Sequence, residues 1–117
     1  MKPGKKEPYI PDRGDVVWVT ITPQIGHEQA GRRPALVLTP LPYNAKVGLA
    51  LMCPITSQVK GYPFEVVLPE GLSIRGAIQS DQVRSLDWRA RKAEFIGRLP
   101  IQMVEAVLNR LLSLMRD

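Results

Sequence analysis

Between Asp15 and Thr22 the chain alternates with a period of two: Val17, Val19 and Ile21 share one parity, Val16, Trp18 and Thr20 the other. That period predicts a strand, because successive side chains of a strand point to opposite faces. The next stretch, Pro23–Arg33, has no periodicity and carries Pro23, Gly26 and Gly31 among polar residues, which predicts a long, mobile loop. Ala35–Thr39 and Val47–Cys53 are short apolar runs bounded by Pro, Gly or Asn and read as buried strands. Phe64–Leu68 follows a Gly-Tyr-Pro turn as a further strand. Gly76–Ser80 and Glu94–Arg98 are marked as strands more by their turn-forming neighbours than by their own pattern. After Pro100 the period changes: Ile101, Val104, Val107, Leu108, Leu111, Leu112 and Met115 recur at three- and four-residue steps. This predicts a terminal helix of about four turns.

Several short strands followed by one helix give an α+β, mainly β chain, folded as a strongly bent sheet or small barrel. No internal repeat interrupts that plan. At 117 residues the sequence predicts a single domain over residues 1–117, with residues 1–8 as a flexible tail. No run approaches the roughly 20 apolar residues of a membrane span, and the N-terminus lacks the apolar stretch of a signal peptide. A cytoplasmic protein without membrane attachment is expected.

Composition sharpens the picture only in part. Hydrophobic residues make up 44% and charged residues 23%, so the chain has the means to bury a core. Sixteen Lys and Arg stand against eleven Asp and Glu, for a net charge of +5, and ten of the cations are arginine. An arginine-weighted excess favours a polyanionic partner, since the guanidinium binds phosphate through two hydrogen bonds at once.

Several chemistries are disfavoured by what is missing. One cysteine, Cys53, and one histidine, His27, supply neither an internal disulfide nor a Cys/His metal cluster, so no metal or other cofactor is expected. His27 lies in the polar loop and reads as a surface side chain; Cys53 closes an apolar run and reads as a core residue rather than a nucleophile. No Gly-rich phosphate loop or magnesium-binding carboxylate cluster is evident.

A basic and polar constellation remains: Glu28, Arg32 and Arg33 around Gly31, then Thr56, Ser57, Gln58 and Lys60, then Arg84, Arg89 and Arg91. Such groups suit phosphate. RNA brings its own nucleophile, the ribose 2′-hydroxyl, so its cleavage requires charge stabilisation and proton transfer but no protein nucleophile. Arginine fits the first role, and a carboxylate such as Glu28 fits the second. From the residues alone these are candidates; loop arginines and glutamates are more often solvated surface charges.

The order of residues adds a family. The runs PDRGDVVWV (Pro11–Val19), GHEQAGRRPALVL (Gly26–Leu38) and PITSQ (Pro54–Gln58) closely resemble toxins of the MazF (PemK-like) type. KGYPFEVVL (Lys60–Leu68) and DQVRSLDWRAR (Asp81–Arg91) look like the next two blocks, so the resemblance runs from about Tyr9 into the terminal helix. It implies an SH3-like barrel related to the CcdB fold, with five to seven short antiparallel strands and a C-terminal helix. It also implies a homodimer. The implied activity is that of a metal-independent, ribosome-independent endoribonuclease that cuts single-stranded RNA to a 2′,3′-cyclic phosphate and a 5′-hydroxyl, arresting translation and growth.

By the same resemblance Arg33, the arginine just before the proline, is catalytic, with Thr56 holding the scissile phosphate and Glu28 acting as base or orienting the arginine. Arg32, Ser57, Gln58, Lys60, Arg84 and Arg89 are candidate RNA-binding residues, and for Trp18 and Trp88 a core role is favoured over base stacking. A MazE-like antitoxin with an acidic tail is the implied partner. The sequence departs from familiar members at His27, Arg32, Ile55 and the Pro69–Arg75 turn, so the resemblance does not extend to the RNA sequence recognised. Two alternatives remain open at this point, a CcdB-like toxin directed at gyrase and a non-catalytic RNA-binding barrel; Arg33 and Thr56 match the nuclease pattern rather than the former.

Overall fold

The computed structural model describes residues 8–22 and 31–116. Among them are seven strands and two helices: β1 (Asp15–Thr22), β2 (Gly31–Val37), α1 (Leu41–Val47), β3 (Ala50–Thr56), β4 (Glu65–Val67), β5 (Ala77–Gln79), β6 (Arg84–Leu86), β7 (Glu94–Arg98) and α2 (Ile101–Arg116). The strands run in the order β4-β5-β3-β2-β1-β7, with β6 also on β3, and all pairings are antiparallel. Strand β3 is shared along its length: Ala50–Met52 pair with β6, whereas Ile55 and Thr56 pair with β5. One strand serving two partners in succession bends the sheet into a barrel-like shape.

Both faces of the bent sheet are apolar. Val17, Val19 and Ile21 of β1 join Ala35, Val37, Met52, Leu86 and Trp88 in one cluster. Val16, Leu36, Cys53, Ile55 and Ile78 face the other way, beneath Val104, Val107 and Leu111 of α2. Burial of these apolar side chains is the main favourable term for a domain of this size. Of the expected helical stripe, Ile101, Leu112 and Met115 stay exposed. No helix among the described residues is long and apolar enough to cross a membrane.

The expected bounds hold for β1 and β7 and shift elsewhere. Strand β2 starts at Gly31, so Gly31–Arg33 are strand rather than loop; β1 supplies the partners, with Val19 opposite Arg33 and Trp18 opposite Pro34. Residues 23–30 of the expected loop, and all but Pro8 of the expected tail, lie outside the described residues. The run Val47–Cys53 is divided: Val47 ends α1, Gly48 caps it in the left-handed conformation at φ 82°, and β3 begins at Ala50.

Helix α1 has no apolar period to announce it. Its determinants are Pro42 in the first turn and the buried Asn44, whose Nδ2 donates to the carbonyls of Pro11 and Thr39 at 2.8 Å while its Oδ1 accepts from the Thr39 hydroxyl. Strand β6 is three residues long, two of them polar, and exists because β3 offers it an edge.

Candidate active site

A cleft of about 300 Å³ opens where β2, β3 and β5 meet. Arg33 from β2, Thr56 from the end of β3 and Arg84 from β6 line it, together with Gln79 and Gln82; Ile21, Pro54 and Ile55 supply its apolar part. The strand period explains why Arg33 is there and its neighbour is not: adjacent residues of β2 leave on opposite faces. Thr56 is half-buried, and its Oγ1 accepts a hydrogen bond from the main-chain N–H of Gln58 at 3.1 Å. That bond fills one lone pair and leaves the hydroxyl proton available to a ligand in the cleft.

Thr56 is fixed from behind as well. Gly76, at φ +125°, sits so close that a Cβ there would stand 1.9 Å from the Thr56 carbonyl oxygen. On the far side of the Thr56–Gly61 connection, the buried carboxylate of Glu65 accepts the main-chain N–H groups of Lys60 at 3.0 Å and Gly61 at 2.7 Å. The loop beyond β3 is therefore held at both ends. The cleft thus presents two guanidinium groups and a hydroxyl, with no carboxylate among its described lining residues, a surface suited to an anion.

The other sequence candidates are placed elsewhere. Arg32 does not line the cleft: its guanidinium bonds to the Thr20 hydroxyl, to the carbonyls of Trp18, Arg91 and Lys92, and to Glu94 at 3.1 Å. Arg91 closes the same knot, donating to the carbonyls of Thr20 and Ile21 at 2.8 and 2.7 Å. Arg32 is thus a fastener of the strand that carries Arg33, and it lies outside the cleft in which an RNA-binding role was expected of it. Arg89 lies over the ring of Trp88, 4.9 Å from its centre, and borders a separate hollow with Val47 and Gly48. Ser57, Gln58 and Lys60 are exposed on the loop after β3 and do not line the cleft. Glu28 and His27 lie outside the described residues.

Trp88 is buried and donates its indole N–H to the Asn44 carbonyl, as a core residue should, whereas Trp18 is 39% exposed beside Arg32. Cys53 is buried, and burial followed by the charge of Asp81 pushes its thiol up to about 12, in keeping with a core role. A more apolar hollow of about 240 Å³ lies between Leu72 and β7; its one cation, Arg98, is committed to Asp15 at 2.6 Å. Among the described residues no group of three His, Cys, Asp or Glu is placed to hold a metal ion.

Sequence reasoning missed Gln79 and Gln82. Both are ordinary polar residues in the chain, and only the pairing of Ala77 with Thr56 and of Ile78 with Ile55 brings their turn beside the threonine.

A bent antiparallel sheet closed by one helix, with a cationic cleft at its rim, defines a small barrel-like protein built to hold an anionic ligand. Residues 12–115 match the model of PemK-like, MazF-like toxins of type II toxin-antitoxin systems, and the chain belongs to that family. It is 49% identical over 108 residues to the endoribonuclease toxin MazF of Escherichia coli K12, covering 90% of this chain and 96% of that one. The crystal structure of MazF from Deinococcus radiodurans superposes with a TM-score of 0.86 at 51% identity, over 94% of this chain and all of that one. The MazE–MazF complex from the same organism gives a TM-score of 0.88 at 52% identity, over 92% and 97% of the two chains.

Proposed function

We propose that this chain is a sequence-specific endoribonuclease that cuts single-stranded RNA without a metal ion or the ribosome, and is the toxin of a type II toxin-antitoxin pair. The carrying observation is the convergence of Arg33, Thr56 and Arg84 on one cleft. In this reading the scissile phosphate lies against the Arg33 guanidinium, which stabilises the charge that grows on the non-bridging oxygens as the 2′-oxygen attacks. The Thr56 hydroxyl donates to one of those oxygens, and Arg84 holds a neighbouring phosphate. Attack forms the bond from 2′-oxygen to phosphorus and breaks the bond to the 5′-oxygen, which takes a proton from solvent, leaving a 2′,3′-cyclic phosphate and a 5′-hydroxyl. Glu28 is assigned to the 2′-hydroxyl proton or to orienting Arg33, and Ser57, Gln58 and Lys60 to the RNA strand beyond the cleft.

A relative 52% identical to this chain was crystallised with MazE, which supports a MazE-like antitoxin here. An acidic, unstructured tail laid over the cleft would meet the same cations that hold phosphate, and so exclude RNA. The exposed Ile101, Leu112, Leu114 and Met115 of α2 support a homodimer that covers part of this face, and a cytoplasmic location follows from the substrate. The test is incubation with a long unstructured RNA in excess EDTA, followed by mapping of 5′ ends and assay for cyclic phosphate. Discrete, EDTA-resistant cuts are expected; intact RNA from folded protein overturns the proposal.

A further inference from the structure

The cleft has two chemistries. Arg33, Arg84 and Thr56 suit phosphate oxygens, which only accept hydrogen bonds. Gln79 is different: its NH2 can donate to a phosphate oxygen, but its carboxamide oxygen finds no donor there, and a neutral amide is a poor substitute for a third cation. What a carboxamide matches is a flat group with a donor and an acceptor side by side, and in RNA that is the edge of a base.

Its backbone is fixed well enough to present such an edge reader. Gln79 ends β5, paired with Glu65 of β4, and its carbonyl accepts the N–H of Gln82 at 3.1 Å, closing a tight turn. The same strand is docked on Thr56 through Ala77, so Gln79 and the residue assigned to the phosphate belong to one rigid unit. Gln82, at the other end of the turn, is exposed beside Asp81, which accepts the Tyr62 hydroxyl at 3.0 Å. Of the two carboxamides Gln79 is the half-buried one, carried on a paired strand rather than on the open turn.

We propose that Gln79 is a specificity-determining residue of this chain, its carboxamide reading the edge of the base next to the scissile phosphate. The inference rests on the endoribonuclease reading above. A carboxamide whose oxygen faces the amino group at adenine N6 or cytosine N4 selects those bases; turned the other way, with its NH2 on guanine O6 or uracil O4, it selects guanine or uracil. A carboxylate in its place only accepts, and so favours guanine, whose N1–H and N2–H donate side by side, over uracil, which has no exocyclic amino group, whichever way the amide faces.

The experiment compares the wild-type chain with Gln79→Leu and Gln79→Glu on a random-sequence RNA library, cut sites being mapped by sequencing and folding checked by circular dichroism. Gln79→Leu keeps the volume and loses the hydrogen bonds. It is expected to cut with base discrimination reduced on the order of tenfold at one position beside the cut, and unchanged at the others. Gln79→Glu is expected to raise the preference for guanine over uracil at that same position, and serves alone if the leucine variant does not fold. Unchanged preferences in a cutting variant overturn the inference, as does a uniform loss of cutting at every site with the preferences intact. A wild-type chain that leaves the library whole is a different result: it overturns the ribonuclease reading itself.

Discussion

Gly76 and Thr56 are packed main chain against main chain: a methyl group added to the glycine would stand 1.9 Å from the threonine carbonyl oxygen. Since φ at Gly76 is +125°, a side chain there is strained even before it collides. Gly76→Ala is therefore expected to push the end of β3 out of the cleft. RNA cutting should fall by at least an order of magnitude, with a loss of about 2 kcal/mol in stability. Urea unfolding and a fixed-substrate cleavage assay measure the two effects; wild-type values in both would contradict the contact.

The Thr56 hydroxyl accepts from Gln58 and keeps its own proton for the ligand. Thr56→Ser preserves both functions and should cut at a rate within a few-fold of wild type. Thr56→Val preserves shape alone and should lose roughly a hundredfold or more in kcat, the usual scale for removing one donor from a charge-stabilising site. Its stability should fall by only about 1 kcal/mol, the ordinary net worth of one hydrogen bond.

The adjacent arginines are predicted to separate cleanly. Arg33 is exposed in the cleft, so Arg33→Ala should abolish cutting and leave the melting temperature within a degree or two of wild type. Arg32 fastens β2 to β1 and to the 91–94 segment, so Arg32→Ala should lower the melting temperature by several degrees. Reversal of this pattern in paired melting and cleavage assays would remove Arg33 from the site and Arg32 from the scaffold.

Alkaline stability follows from one buried and one partly buried acid. Burial, aided by Asp81, holds the Cys53 thiol at about 12 against an ordinary value of 9. Burial, the hydrogen bond to Asp15 and the charge of that carboxylate also push the Tyr9 phenol well above its ordinary value of 10. In the unfolded chain both groups release protons first, so the unfolded state is favoured as pH rises. Stability should be flat to about pH 8.5 and then decline, at up to about 1.4 kcal/mol per pH unit for the thiol alone between pH 9 and 12. Denaturant midpoints across that range check the sign; a Cys53→Ala chain that declines as steeply would assign the effect to Tyr9 alone.

The legible part of the fold was the part governed by local pattern. The period-two run of β1 and the mixed three- and four-residue steps of α2 read directly from the chain, and Glu94–Arg98 followed from spacing. Helix α1 did not, because one buried side chain, Asn44, holds it through bonds to Pro11 and Thr39 that no neighbouring residue encodes. The same holds for Gly31–Arg33, strand only because β1 pairs with it. Of the residues that line the cleft, Arg33 and Thr56 were singled out by their motifs and Arg84 by its charge, whereas Gln79 and Gln82 were invisible until β5 docked on β3.

By itself the sequence determined the alternation that makes strands, the amphipathic terminal helix, the cationic excess, and the order of motifs that marks the family. Tertiary structure decided which of two neighbouring arginines serves the cleft and which serves the scaffold, because a strand sends adjacent side chains to opposite faces and only packing decides what each face meets. It also decided that two glutamines join the site. Pairing across a sheet is a long-range relation, and residues distant along the chain carry no mark of whom they will meet.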